Sequence, residues 1–118
     1  MKNDEIPEFA TDAGLIAGIM RKEKIALSLL YDKYAPTIFA VIYGITGDRM
    51  ISETLLARCF CAFWETAGNF NPRGPGLLSW MLRTAGGLAR ESLRTLENEI
   101  QEENKYVNDS KELINLEM

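Results

Sequence analysis

Trp80, Arg83, Arg90 and Arg94 fall within one run, LLSWMLRTAGGLARESLR, from Leu77 to Arg94. As a helix, this run lines them up in a single stripe at three- and four-residue spacing, with Gly87 between. An aromatic ring stacks on nucleobases and guanidinium groups pair with phosphates, so the stripe is a candidate surface for single-stranded nucleic acid. Solvation of an outer helix face is the ordinary alternative use of the same residues. The opposite side carries Leu78, Leu82, Ala85, Leu88 or Ala89, Leu93 and Leu96, and is predicted to bury.

Other chemistry is sparse. The chain has no histidine, which removes His general acid–base catalysis, Ser-His pairs and His metal ligands. The glycines at 74 and 76 and at 86 and 87 lack the strand context and the Lys-Ser/Thr ending of a phosphate loop. Glu102 and Glu103 belong to a charge run that reads as a solvated face. Cys59 and Cys61 are two apart in an apolar helical pattern, so neither a disulfide nor a metal pair is expected, and both read as small buried side chains. Catalytic residues, metal sites and cofactors are all predicted to be none, and the chain is not expected to be an enzyme.

A chain of 118 residues that is 47% hydrophobic builds one core. Its acidic start and the lack of an apolar run of about 18 residues argue against a signal peptide or membrane span, so a cytoplasmic protein is expected. The net charge of −4 divides unevenly: −3 over residues 1–12, +4 over 13–96 and −5 over 97–118. A basic middle suits a polyanion, and acidic ends would repel or mask one.

The spacing predicts an all-α fold, a compact bundle of about four helices. Residues 1–11 read as a flexible leader, 12–96 as the helical domain and 97–118 as an acidic helical extension or tail. Thr11 or Asp12 caps a first helix to about Lys22 that buries Leu15, Ile16 and Ile19. A second starts near Lys24, with a kink or brief break expected around Tyr34 to Pro36 because proline removes a backbone donor. Gly44, Thr46, Gly47 and Asp48 end it. The third runs from about Met50 to Ala67, burying Leu55, Leu56, Cys59, Phe60, Phe63, Trp64 and Ala67, with Ser52, Glu53, Thr54, Ala57, Arg58, Ala62 and Glu65 on the other side. The glycine- and proline-rich segment 68–76 is a loop. The last helix reaches toward Ile100, and one more short helix is expected beyond Asn104.

Three segments together, LSLLYDKYAPTIFAVIYGITGDR (27–49), FCAFWETAGNFNP (60–72) and LLSWMLRTAGGLARESLR (77–94), resemble region 2 of bacterial extracytoplasmic-function sigma factors. The resemblance spans about residues 12–95. It is most specific at Leu30 to Pro36, Thr46 to Arg49, Trp64 and Trp80. It implies a helical domain that docks through its third helix on the clamp helices of the RNA polymerase beta-prime subunit. It also implies that the last helix, with the loop before it, helps to melt and read the promoter. Trp80, Arg83, Arg90 and Arg94 then become DNA-binding residues, and Glu53 and Arg58 polymerase-binding residues.

The chain departs from the family pattern at contact positions. Glu53 keeps one family acid, but Ile51 and Thr54 replace two others, Ala57 stands for Gln, and Arg58 reverses the charge of a Glu. Opposite a basic partner, that reversal turns attraction into repulsion. Gly86 and Gly87 stand where the family has Arg-Asn, and Glu91 and Ser92 where it has Asp-Arg. A second sigma domain is expected to be absent, since about 24 residues, largely acidic, follow the match. Two readings result. One is a sigma-factor-like initiation protein that binds core polymerase and single-stranded promoter DNA. The other is a degenerate sigma-like module that pairs instead with a regulatory protein or with itself.

Overall fold

The computed structural model describes residues 8–117. Residues 1–7 of the expected leader lie outside the described residues, and Glu8–Ala10 form a short 3₁₀ turn. Four helices follow: α1 (Asp12–Met20), α2 (Lys24–Thr46), α3 (Arg49–Thr66) and α4 (Leu77–Glu117), with a second 3₁₀ turn at Ala67–Asn69. Among the described residues there is no strand, so the fold is the all-α bundle that the hydrophobic spacing predicts.

Local chemistry sets the boundaries. Thr11 caps α1, its Oγ1 accepting from the Gly14 amide at 3.1 Å, and Leu15, Ile16 and Ile19 point into the core. A Cβ on Gly18 would lie 2.6 Å from a Phe9 ring carbon and 2.7 Å from the Ala26 Cβ. That glycine therefore lets α1 and α2 cross closer than any side chain would allow. Gly47 ends α2 at a φ of 67°, and Asp48 then caps α3 by accepting from the Ile51 amide at 2.8 Å.

α1, α3 and α4 all pack on α2, whose buried line is Ala26, Leu30, Ala35, Ile38 and Ile42. By length and composition α2 would suffice to cross a membrane, although Asp32 and Lys33 interrupt its apolar run. In the bundle one line of it, Ala26, Leu30, Ala35, Ile38 and Ile42, is covered while Ile25, Leu29 and Tyr43 are exposed, and Asp32 and Lys33 sit at its middle, with Lys33 bonded to Asp12 of α1 at 2.7 Å.

Five expectations are corrected. α2 runs unbroken through Pro36; Asp32 and Pro36 are both exposed, so the carbonyl that the proline leaves without a partner can bond to water. No separate helix begins after Asn104, because α4 is a single helix of 41 residues. Its buried line is Leu77, Met81, Ala85 and Ala89, rotated by about one residue from the predicted face, with Leu78, Leu82 and Leu88 half-buried at its edge. Ser52 is fully buried, with its hydroxyl 2.6 Å from Thr46 Oγ1 across the α2–α3 corner. Cys59 is buried and Cys61 exposed, and both are free thiols. Burial pushes the Cys59 thiol up to about 11, as expected for a side chain packed like a small hydrophobe.

Candidate nucleic-acid and polymerase interface

A row of aromatic rings leads from the α2 surface to the start of α4. Tyr31 meets Phe60 at 4.8 Å between centroids, Phe60 meets Phe63 at 5.0 Å, and Phe63 meets Trp80 at 5.6 Å. Phe70, from the loop before α4, closes on the other side of Trp80 at 5.7 Å. These separations suit edge-to-face packing. Trp80 is thus half-buried, holding the loop to α3 and leaving part of its ring in solvent.

The three arginines lie elsewhere on the same helix. At about 100° per residue, Arg83, Arg90 and Arg94 fall within about 40° of one another, opposite the Met81, Ala85 and Ala89 line. Trp80 is turned by about 60° from that row toward the core. All three arginines are exposed, and among the described residues none forms an ion pair. They form a cationic row without an ion pair among the described residues, with Glu91 and Glu97 one turn to either side of Arg94. Arg73, exposed in the loop and with its amide bonded to Asn71 Oδ1 at 3.0 Å, adds a fourth cation before α4. The sequence reading passed over it because a loop arginine carries no periodicity.

Gly86 and Gly87 have different surroundings. The Arg90 guanidinium folds back over Gly86, where a Cβ would meet Nη1 at 3.1 Å. Around Gly87 there is open space. A flexible guanidinium can give way, so no close backbone approach requires either glycine, and Gly87 leaves a bare place in the cationic face.

On α3 the two predicted polymerase-binding residues do not come together. Glu53 sits on the outer face, bonded by Arg49 one turn earlier at 3.2 Å. Arg58 is turned by about 140° from it into a groove of about 430 Å³ between α3 and α4, lined also by Ile51, Leu55, Leu88, Glu91 and Glu99. Arg58 therefore shares a groove with two acids of its own chain. Thr54 and Ala57 are both exposed.

A third cluster steadies the bundle. Asp12 accepts from Lys33 Nζ and Tyr34 Oη, each at 2.7 Å. Burial would raise the Asp12 pKa, but the Lys33 and Tyr34 bonds outweigh it and the carboxyl titrates below its ordinary value. Near the α1–α2 turn, Arg21 bonds Glu23 at 2.8 Å and also Glu8, and Lys22 lies 4.8 Å over the Trp64 ring. Among the described residues no group of His, Cys, Asp and Glu could hold a metal ion.

Comparison with known proteins matches residues 30–99 to the Sigma-70 region 2 family. The ECF RNA polymerase sigma factor SigK of Mycobacterium sp. (strain KMS) is 24% identical over 102 residues, covering 86% of this chain and 53% of that protein. SigK of Mycobacterium ulcerans (strain Agy99) is 24% identical over 92 residues, 78% of this chain and 49% of that protein. The chain spans about half the length of the curated relatives that it matches. No solved structure gives a significant match.

Proposed function

Since the chain belongs to the Sigma-70 region 2 family, we propose that it is a sigma-factor-like protein of bacterial transcription initiation, working in the cytoplasm. It binds the clamp helices of core RNA polymerase through α3, and single-stranded promoter DNA through Trp80, Arg83, Arg90 and Arg94. Residues 12–96 are the working domain in this reading, and 97–118 an acidic extension. No catalytic step or cofactor is involved. The observation that carries it is the exposed, unpaired arginine row on α4 beside a half-buried tryptophan. Phosphates pair with the guanidinium groups, and the free part of the Trp80 ring offers a stacking edge.

The test is fluorescence anisotropy with a labelled single-stranded oligonucleotide over a salt series. Three phosphate contacts predict a slope of log K against log salt near −2, at about −0.7 per contact. The triple variant Arg83→Ala, Arg90→Ala, Arg94→Ala should flatten it. Flat dependence in the unaltered chain would remove the DNA arm. Polymerase binding is read separately by co-elution with core enzyme, for the unaltered chain and for Arg58→Glu. If neither co-elutes, the polymerase arm fails.

A second reading, the degenerate module that pairs with a regulatory protein or itself, draws support from Arg58. That side chain lines the α3–α4 groove with Glu91 and Glu99, a use that requires no polymerase. Under it, both arms above give no complex.

A further inference from the structure

A ring that turns freely has to be ordered before a base can stack on it, and that ordering costs affinity; a ring already held in place avoids the cost. Within α4, the helix that carries Trp80, the only other aromatic residue is Tyr106, far along the chain. Both rings that meet Trp80 come from elsewhere: Phe63 of α3, 5.6 Å away and tilted by 44°, and Phe70 of the loop, 5.7 Å away and turned by 69°.

The two neighbours differ in kind. Phe63 is fully buried and belongs to the core. Phe70 is half-buried on a loop whose own bonds are local: its amide bonds to the Ala67 carbonyl at 3.1 Å, and Asn71 accepts from the amides of Arg73 and Gly74, each at 3.0 Å. Those bonds shape the loop, while the Phe70 ring lays it against Trp80. The same ring lines a groove of about 420 Å³ with Ile16, Met20 and Leu77. On that α1 side any apolar side chain of similar bulk serves. On the Trp80 side the contact is directional, because aromatic pairs at this separation prefer edge-to-face geometry, and an aliphatic side chain does not dictate the angle of the ring.

We propose that Phe70 is a positioning residue for Trp80: its edge-on contact from the loop, opposite Phe63, fixes the tryptophan ring in the attitude in which the exposed part meets a nucleobase. Phe70 acts through Trp80 and does not itself touch the strand. The role rests on the reading of Trp80 as a stacking residue for single-stranded DNA.

The test uses the full chain with Trp64→Phe, which leaves Trp80 as the one emitting tryptophan. Phe70→Leu should keep the melting temperature near that of this parent, yet shift the Trp80 emission to longer wavelength and raise its quenching by acrylamide. Phe70→Tyr, which keeps the ring, should do neither. Affinity for a labelled single-stranded oligonucleotide should fall about fivefold in Phe70→Leu, the low end of what one stacked base contributes, and recover in Phe70→Tyr. The salt slope should stay as it was, because no phosphate contact is lost. With Trp80→Ala already present, Phe70→Leu should cost nothing more. If Phe70→Leu melts early, Phe70→Met, also apolar and without a ring, carries the same expectations. Unchanged emission overturns the proposal. So does a loss of affinity that persists in full beside Trp80→Ala, which would make Phe70 itself the stacking ring. Equal binding with and without Phe70→Leu sinks the positioning role alone, whereas no binding by the unaltered chain at any salt sinks the DNA reading and the positioning role with it.

Discussion

α4 passes through two environments without a break. From Leu77 to Ala89 its inward line is Leu, Met, Ala, Ala, all buried, and its outward line is cationic. From Leu96 onward the inward line is larger and more branched, yet exposed, and its surroundings are anionic. The small residues belong to the packed half, where α2 and α3 approach closely, and the large ones to the half with nothing among the described residues against it. Burial is therefore set by the neighbours that a helix meets, not by the size of its apolar side chains. Continuity is a separate matter: the folded half serves as the nucleus, so the projecting half need only propagate.

That contrast is broken most severely by placing the same charge in each half. Ala85→Asp buries a carboxylate between helices with nothing to pair it, and should cost about 3–5 kcal/mol, enough to unfold most of a small domain. Val107→Asp should change stability by less than about 0.5 kcal/mol. Urea melts of the two variants followed by circular dichroism check both. Equal costs would mean that the projecting half is packed in solution.

A smaller effect isolates the clasp that fixes α1 on α2, far from the projecting half. Asp12→Asn removes the charge that Lys33 and Tyr34 bond and should cost about 1 kcal/mol at pH 7, a fall of roughly 5 °C in melting temperature. The pH dependence has a definite sign. The folded pKa of Asp12 lies below its ordinary value of 3.8, so its contribution is complete above that value and is lost as pH falls through the folded pKa. Lys33 is shifted upward, chiefly by its bond to Asp12, so its contribution is lost only at alkaline pH, as pH rises through its folded pKa. The gap between the unaltered chain and the variant should thus be constant near neutrality and close below about pH 4. A gap that persists at pH 2 would mean that the charge is not what stabilises the clasp.

How much of this was legible in the sequence differs from element to element for physical reasons. Leu15, Ile16 and Ile19 are large residues among small or polar ones, and they marked the α1 face without ambiguity. The α3 face and the Gly47-Asp48 corner were equally plain, since a left-handed residue followed by a capping carboxylate is local chemistry. On α4 the pairs Leu77-Leu78 and Met81-Leu82 are both apolar, so periodicity could not choose between faces one residue apart, and only the position of α2 and α3 decides. Ser52 read as polar and outward because its partner, Thr46, is on another helix. Pro36 read as a break because the loss of a backbone donor is visible in sequence, whereas water access to the carbonyl it abandons is not. The arginines of the candidate site stood out by type and spacing. The aromatic packing that turns Trp80 partly inward and the groove that takes Arg58 away from Glu53 both depend on tertiary contacts between helices.

The smallest predicted effect probes the packed half from its outer side. Gly86 and Gly87 each weaken a helix interior by about 1 kcal/mol relative to alanine, but their surroundings differ. A Cβ at 87 meets open space, so Gly87→Ala should stabilise by about 0.5–1 kcal/mol with no opposing clash. A Cβ at 86 presses on the Arg90 guanidinium at 3.1 Å; the far end of a flexible side chain can swing away, so Gly86→Ala should gain less. Thermal melts of the two variants rank them. If Gly87→Ala stabilises the fold and leaves oligonucleotide affinity unchanged, the glycine is a dispensed-with contact position. If it stabilises the fold but weakens oligonucleotide binding several-fold, the bare place between Arg83 and Arg90 is where the strand lies against the helix backbone.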